Sequence, residues 1–310
     1  MANLPDVTIV VPVNNEEGNL CLLYEALEKV MPSKYAWNVL FVDDGSTDAS
    51  RQEIRGLCNA HGNVNAIFFS KNYGHQIALT AGYDHAQGGA VITMDADLQH
   101  PPESIPDLLR LWEEGAEIIF AIREPDTSIS WFKQTTSRWF YAFLKAISNI
   151  DLVQGAADFR LLDKKVVDCL RLYRERDRFL RGIVSDMGFS RKIYHYKENH
   201  RLKGVSKYSL WSMIKLAISG VVSFSSFPLR LCSMLGFFIS LISCIYAGMI
   251  VYDKVVHGAP VGIASILVGV FFIGGVQLAF IGILGEYLMS VFKEVKARPL
   301  YCISEKIEVL

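Results

Sequence analysis

The sequence has almost no charge imbalance, no clustered cysteines and no glycine-rich dinucleotide fingerprint, and each absence removes a class of function. Its 31 Lys and Arg against 32 Asp and Glu leave a formal net charge of -1. That excludes a nucleic-acid binder working through bulk positive charge. At 51% hydrophobic residues it is too apolar for a disordered chain. The six cysteines (Cys21, Cys58, Cys169, Cys232, Cys244, Cys302) are scattered and form no C-x-x-C. They read as reduced thiols in the cytosol or within a membrane, not as a disulfide or zinc frame. No G-x-G-x-x-G follows the first apolar run, so a dinucleotide fold of that kind is not expected. Residues 1–6 lack the charged and apolar pattern of a secretory leader. His75, His85, His100 and His195 show no ligand spacing, and no metal is assigned to them.

What is present centres on one stretch. An apolar run from Ala90 to Met94 reads as a buried strand and ends in Asp95-Ala96-Asp97. Carboxyl ends of strands are where open α/β sheets place ligands. Strand alternation would point Asp95 and Asp97 the same way, toward one cation. Oxygen ligands without nearby Cys or His favour Mg²⁺ or Mn²⁺, which usually bridge to substrate phosphates. Gln99 repeats the spacing and offers a third oxygen.

The 310 residues suit one large domain or two smaller ones. Val7 to Val13 is a continuous apolar run, as in a strand buried on both faces of a parallel sheet. Glu16 to Met31 carries Leu20, Leu23, Leu27 and Val30 at helical spacing. Further strands are expected at Asn38 to Val42, Ala66 to Ser70 and Glu117 to Ile122. Gly45 suits a tight turn, and Ser46, Thr47 or Asp48 can cap the next helix. A helix is expected after His75 to about Ala86, and Pro101-Pro102 opens another. Strands alternating with helices imply a doubly wound, mostly parallel α/β sheet. Asp44, Asp95, Asp97 and Arg123 would then share one rim, where acids hold a base edge and a metal and a cation holds phosphate.

Thr8 to Gly18 (T-I-V-V-P-V-N-N-E-E-G), Val42 to Asp48 (V-D-D-G-S-T-D) and Met94 to Glu103 (M-D-A-D-L-Q-H-P-P-E) resemble family 2 glycosyltransferases of GT-A fold. The later segments narrow the resemblance to polyprenyl-phosphate glycosyltransferases, the branch with dolichyl-phosphate mannose synthase and the bactoprenol glucosyltransferases. It covers nearly the whole chain. The resemblance implies that Pro12, Asn14, Glu16, Val42 and Asp44 line the nucleoside pocket, and that Asp95, Asp97 and Gln99 hold the metal and donor diphosphate. Ala96 and Arg123 are counted with the nucleotide-sugar contacts. Some relatives have Tyr where this chain has Asn14.

Residues 131–149 form an aromatic-rich helix in which packing is the default, and the family pattern turns Arg138 toward the acceptor phosphate. Gln134 and Arg138-Trp139 miss the Q-x-x-R-W spacing of processive polysaccharide synthases by one residue. Asp158 is the candidate general base. A lipid phosphate has a second pKa of about 6, so the nucleophile is largely ionised at neutral pH and needs positioning more than deprotonation. Asp158 is therefore expected to orient the acceptor or a donor hydroxyl, with base catalysis second. Residues 176–187 read as a solvated amphipathic helix or a lid. Arg201 and Lys207 flank Gly204, and the family pattern closes this segment over the donor diphosphate.

The mean hydropathy of +0.25 is high, and the excess lies after residue 228. Residues 209–228 suit an amphipathic helix lying in the membrane interface. Residues 229–252 and 263–292 are apolar enough and long enough to span a bilayer. Lysines and arginines on the outer flanks put the catalytic domain and both termini in the cytosol. Glu286, near the inner end of the second span, is expected to pair with a base such as Lys293, with a functional intramembrane acid as the alternative. Gly269, Gly274, Gly275, Gly282 and Gly285 would permit close helix packing, including in a homo-oligomer. The expected organisation is thus a GT-A domain over 1–208, the interfacial helix, two transmembrane helices and a cytosolic tail over 293–310. The expected activity is inverting transfer of a hexose, glucose from UDP-glucose, to polyprenyl phosphate in a bacterial inner membrane. A processive polysaccharide synthase and a non-catalytic nucleotide-binding membrane subunit are the alternatives.

Overall fold

A computed structural model of the chain describes residues 6–124, 156–197, 227–257 and 262–308. They fall into two units: 6–124, 156–197 and 298–308 in one, 227–257 and 262–297 in the other.

The first unit is built on an eight-stranded sheet. Its strands are β1 (Val7–Val13), β2 (Trp37–Asp43), β3 (Val64–Phe69), β4 (Ala90–Thr93), β5 (Ile118–Arg123), β6 (Ala156–Asp163), β7 (Arg191–Tyr196) and β8 (Ile303–Ile307), in the order β7-β5-β6-β4-β1-β2-β3-β8. β3, β2, β1 and β4 run parallel. All seven residues of β1 are buried, as expected of a strand covered on both faces. Pro12 is tolerated there because β4 pairs only with Val7 to Val10, leaving no ladder bond for Pro12 to donate on that side.

Helices α1 (Leu20–Val30), α2 (Ser50–Ala60), α3 (His75–His85) and α4 (Ile105–Glu113) follow β1 to β4. Leu20, Leu23, Tyr24 and Leu27 form the buried stripe of α1. Each such side chain contributes roughly 1.5–3 kcal/mol of burial. α3 approaches β1 so closely that a Cβ on Gly82 would lie 2.1 Å from Val10 Cγ1. The prolines at 101–102 open a 3₁₀ turn, Pro102–Ser104, that leads into α4. Two shorter helices complete the unit, α5 (Lys164–Leu170) and α6 (Leu180–Asp186).

Three strands go beyond the sequence-based expectation. β6 inserts antiparallel between β4 and β5, β7 pairs with β5, and β8 pairs antiparallel with β3. β8 lies within what the sequence presents as a tail. Tyr301 stacks on Phe69 with ring centroids 5.1 Å apart, and Ser70 N donates to Cys302 O. Parallel strands end on one rim, and an antiparallel neighbour starts there. The loops after β1 to β4 therefore meet the beginning of β6.

The second unit consists of α7 (Phe227–His257) and α8 (Ile263–Lys296). Within them Leu231–Ile250 and Phe272–Lys296 have mean hydropathies of 1.9 and 1.6 and are not buried. Each is long and apolar enough to cross a membrane. The expected interfacial helix lies almost wholly outside the described residues.

Candidate active site

The first half of the rim is a set of loops tied together by backbone amides. Asp43 and Asp44 end β2, and their environments separate their work. Asp43 is fully buried and ion-paired with Arg51 at 2.7 Å, so it is structural. The Asp44 carboxylate accepts from Tyr73 N at 2.6 Å and Gly74 N at 2.9 Å, joining the loop after β3 to the loop after β2. Burial pushes the Asp44 carboxyl up from its ordinary value, against the pull of those two amides. Asn14 Nδ2 donates to Asp44 O at 2.8 Å. Asn15, at φ 58°, donates its N–H to Ser46 Oγ and accepts from Thr47 N. Glu16 N donates to Ser50 Oγ at 2.9 Å, and Glu16 Oε2 accepts from Asn19 Nδ2. Gly45 sits at φ +68°, and a Cβ there would lie 2.5 Å from Asn72 N. Pro12 and Val42 are register partners, both buried at the floor of this half.

The second half is built from β4, β6, α3 and α6. β4 ends at Thr93, so Asp95 and Asp97 lie past the strand in a turn where Leu98 takes φ 59°. Strand alternation therefore does not set their direction. Asp95 is 39% exposed, whereas Ala96 and Asp97 are buried. Asp97 Oδ1 accepts from Gln99 N at 3.2 Å. His100 Nδ1 accepts from Asp95 N at 3.0 Å, which places any ring proton on Nε2. The His100 ring stacks on Phe159.

The register Thr93↔Arg160 carries Asp158 past the end of β4, toward the Asp95 turn. Thr93 Oγ1 fixes the strand there by donating to Asp158 O. The Asp158 carboxylate is buried among donors. Arg160 Nη2 and Arg181 Nε, the latter at 3.3 Å, reach Oδ1. Arg181 Nη2 at 3.1 Å, His75 Nε2 at 3.2 Å and Gln76 Nε2 at 3.4 Å reach Oδ2. Burial would raise this carboxyl, but the His75 hydrogen bond and the Arg160 and Arg181 charges outweigh it and hold Asp158 well below the usual carboxylate range. His75 Nε2 also lies 3.8 Å from Asp95 Oδ1, so the imidazole links the two acids. Burial lowers the His75 pKa, but the hydrogen bond and charge of Asp158 and the charge of Asp95 win, leaving it raised. Gln76 Oε1 accepts from Leu180 N at 3.2 Å and seats the start of α6 on α3.

The structure thus brings Asp44, Asp95, Asp97, Gln99 and Asp158 to one rim, with Arg123 at the end of β5 and exposed. Arg138, Arg201 and Lys207 lie outside the described residues. His75, Gln76, Arg160 and Arg181 were not singled out by the sequence. The helix expected over 176–187 is present in part as α6, but Leu180, Ile183 and Val184 are buried and Arg181 faces Asp158. A signal for Arg160 did exist: it lies two residues from Asp158 in an apolar strand, so both share one face.

A parallel core with an acid-lined carboxyl rim and an inserted antiparallel strand is a GT-A-type α/β scaffold. Residues 8–202 match Glycosyl transferase family 2, and the chain belongs to that family. It is 39% identical over 301 residues to the SfII prophage-derived bactoprenol glucosyl transferase of Shigella flexneri, covering 96% of this chain and 97% of that one. It is 37% identical over 299 residues to the prophage bactoprenol glucosyl transferase homolog of Escherichia coli, covering 96% and 98%. Among solved structures, glucosyl-3-phosphoglycerate synthase from Mycobacterium tuberculosis, in complex with Mn²⁺, UDP-glucose and phosphoglyceric acid, is 16% identical. It has a TM-score of 0.49 and covers 71% of this chain and 78% of that one. The chain is a glycosyltransferase.

Proposed function

We propose that the enzyme transfers glucose from UDP-glucose to a polyprenyl phosphate, inverting the anomeric centre, at the cytosolic face of a bacterial inner membrane. The observation that carries this reading is the 37–39% identity to relatives named bactoprenol glucosyl transferase or its homolog. That similarity runs nearly end to end and includes α7 and α8. An oxygen of the lipid phosphate attacks the anomeric carbon, a C–O bond forms, and the bond to the UDP oxygen breaks with its electrons leaving on the diphosphate.

The acids of the rim suit hard-cation chemistry. Among the described residues no group of three or more His, Cys, Asp or Glu converges in metal-binding geometry. One or two carboxylates completed by substrate phosphates and water are what a Mg²⁺ or Mn²⁺ nucleotide site uses. Asp95, Asp97 and Gln99 would hold the ion, which supplies positive charge to the departing diphosphate. Arg123, Arg201 and Lys207 are assigned to the same diphosphate, Arg138 to the acceptor, and Pro12, Asn14, Glu16, Val42, Asp44 and Ala96 to the nucleotide sugar.

Membrane insertion has independent support. The chain leaves the catalytic unit, runs through two long apolar helices, and returns to that unit as β8. A two-span hairpin is the membrane topology that leaves both flanks on one side, in keeping with the flanking lysines and arginines. The deciding experiment is transfer of radiolabelled glucose from UDP-glucose to undecaprenyl phosphate in detergent, with and without EDTA. A metal-dependent glycolipid bearing one sugar is expected. A polymer would make the enzyme a polysaccharide synthase, and nucleotide binding without transfer from any donor would make it a subunit.

A further inference from the structure

We propose that Arg181 contacts the phosphate of the lipid acceptor, and that Asp158 is the fixed anion that aims it rather than a base that takes a proton. This rests on the acceptor being a polyprenyl phosphate.

The argument begins with what Asp158 has left to offer. A carboxylate has about four lone-pair positions. Arg160, Arg181, His75 and Gln76 direct five N···O contacts at them. A group so occupied has no lone pair directed at an incoming proton, and its cations disfavour the protonated form. The chemistry does not require one, since a phosphate monoester is largely a dianion at neutral pH. What a dianion requires is positive charge held in place.

Two guanidiniums meet one carboxylate here, and that carboxylate holds positive charge in place at the rim. Arg160 cannot deliver it: its side chain is 0% exposed, and its Nε and Nη1 have no hydrogen-bond partner. Arg181 can, because its side chain is 41% exposed while its Nε and Nη2 are anchored on Asp158. A planar guanidinium braced along one edge is pre-organised for phosphate. It stands on the same rim as Asp95, through the His75 bridge. The anchor Gln76–Leu180 fixes the α6 backbone next to Arg181, so the cation is placed by the fold.

The test is steady-state kinetics of the full chain in detergent, for wild type, Arg181→Ala and Arg181→Lys. Each substrate is varied while the other is saturating. For Arg181→Ala the KM for undecaprenyl phosphate is expected to rise on the order of tenfold or more, while the KM for UDP-glucose stays within about twofold. Arg181→Lys, which keeps the charge but loses the edge contact, should fall between the two. Equal rises in both KM values, or an unchanged KM for undecaprenyl phosphate, would overturn the proposal whatever happens to kcat. The Lys variant guards against a folding defect, since a misfolded fraction lowers apparent kcat without moving either KM. If wild type made no glycolipid but glucosylated another phosphate acceptor, the functional reading would fail. The Arg181→Ala effect on that acceptor would still judge the inference.

Discussion

The two halves of the rim hold buried carboxylates by opposite means. Asp44 sits in a cradle of neutral donors, the amides of Tyr73 and Gly74, and burial drives its pKa up. Asp158 sits in a cage of cations and near-cations, and its pKa is driven down. Burial alone does not say what an aspartate does; the charge of its partners does. Backbone amides make Asp44 a brace between loops. Guanidiniums make Asp158 a permanent anion, in the half of the rim to which the proposed reaction assigns the moving charge.

The largest effect separates the halves by activity. On the proposed metal-holding role, Asp97→Ala is expected to lower kcat by on the order of a thousandfold, the size that several kcal/mol of metal-ion charge stabilisation would give. Asp44→Asn keeps one carbonyl acceptor and loses the other. It should raise the UDP-glucose KM about tenfold, in line with one hydrogen bond of roughly 1–1.5 kcal/mol, and leave the acceptor KM alone. If Asp44→Asn abolished turnover while Asp97→Ala spared it, the assignment of charge chemistry to the second half would be reversed.

Next in size is the backbone of the first half. Gly45→Ala meets both a left-handed φ of +68° and a 2.5 Å approach to Asn72 N. It should cost about 1–3 kcal/mol, read as a lowered thermal midpoint. Gly74→Ala, at φ +99° and ψ 153°, leaves the added Cβ in open space but in a backbone region that is essentially glycine's own, so its cost comes from the backbone alone. No loss of thermal midpoint in Gly45→Ala would mean that the Asn72 backbone gives way at no cost.

The pH dependence of stability should have opposite signs at the two acids. A raised folded pKa makes the native state hold more protons than the unfolded one, so stability falls as pH rises through that window. A depressed folded pKa gives stability that is fully present above the unfolded value, about 4, and is lost as pH falls through the folded one. Asp44→Asn should therefore compare more favourably with wild type at pH 7 than at pH 4. Asp158→Asn should show its full penalty at pH 7 and a shrinking one in stronger acid. Slopes of the same sign for both variants would break the contrast.

The first half was legible in the sequence because each of its loops directly follows an apolar strand. Asn14, Asp44 and the V-D-D-G turn can be placed by periodicity alone. The second half was legible only in its acids. Its cations come from α3, β6 and α6, and they meet because β6 runs antiparallel between β4 and β5, a strand order that local hydrophobic pattern does not encode. His75 opens a helix and Arg181 lies in a mixed basic stretch, so each alone resembles a surface residue. β8 was missed for a related reason. Ile303 to Ile307 (I-S-E-K-I) has only two apolar residues, one at each end, so it shows no strand alternation, and it lies at the sheet edge next to a long apolar helix that dominates the reading.

The smallest effect lies outside both halves, on that edge. Arg55 Nη2 meets Glu305 Oε2 at 2.6 Å and joins α2 to β8, but both side chains are more than 40% exposed. An exposed pair of this kind contributes less than about 1 kcal/mol after screening and side-chain entropy. β8 is held more by its ladder to β3 and by Tyr301, which stacks on Phe69 and donates to Asp84 Oδ2. A double-mutant cycle with Arg55→Ala and Glu305→Ala should give a coupling within that limit and leave both KM values unchanged. Tyr301→Ala should lower the thermal midpoint further than either. A coupling above 2 kcal/mol would instead make the ion pair the fastener of the returning chain, and stability would then fall steeply with added salt.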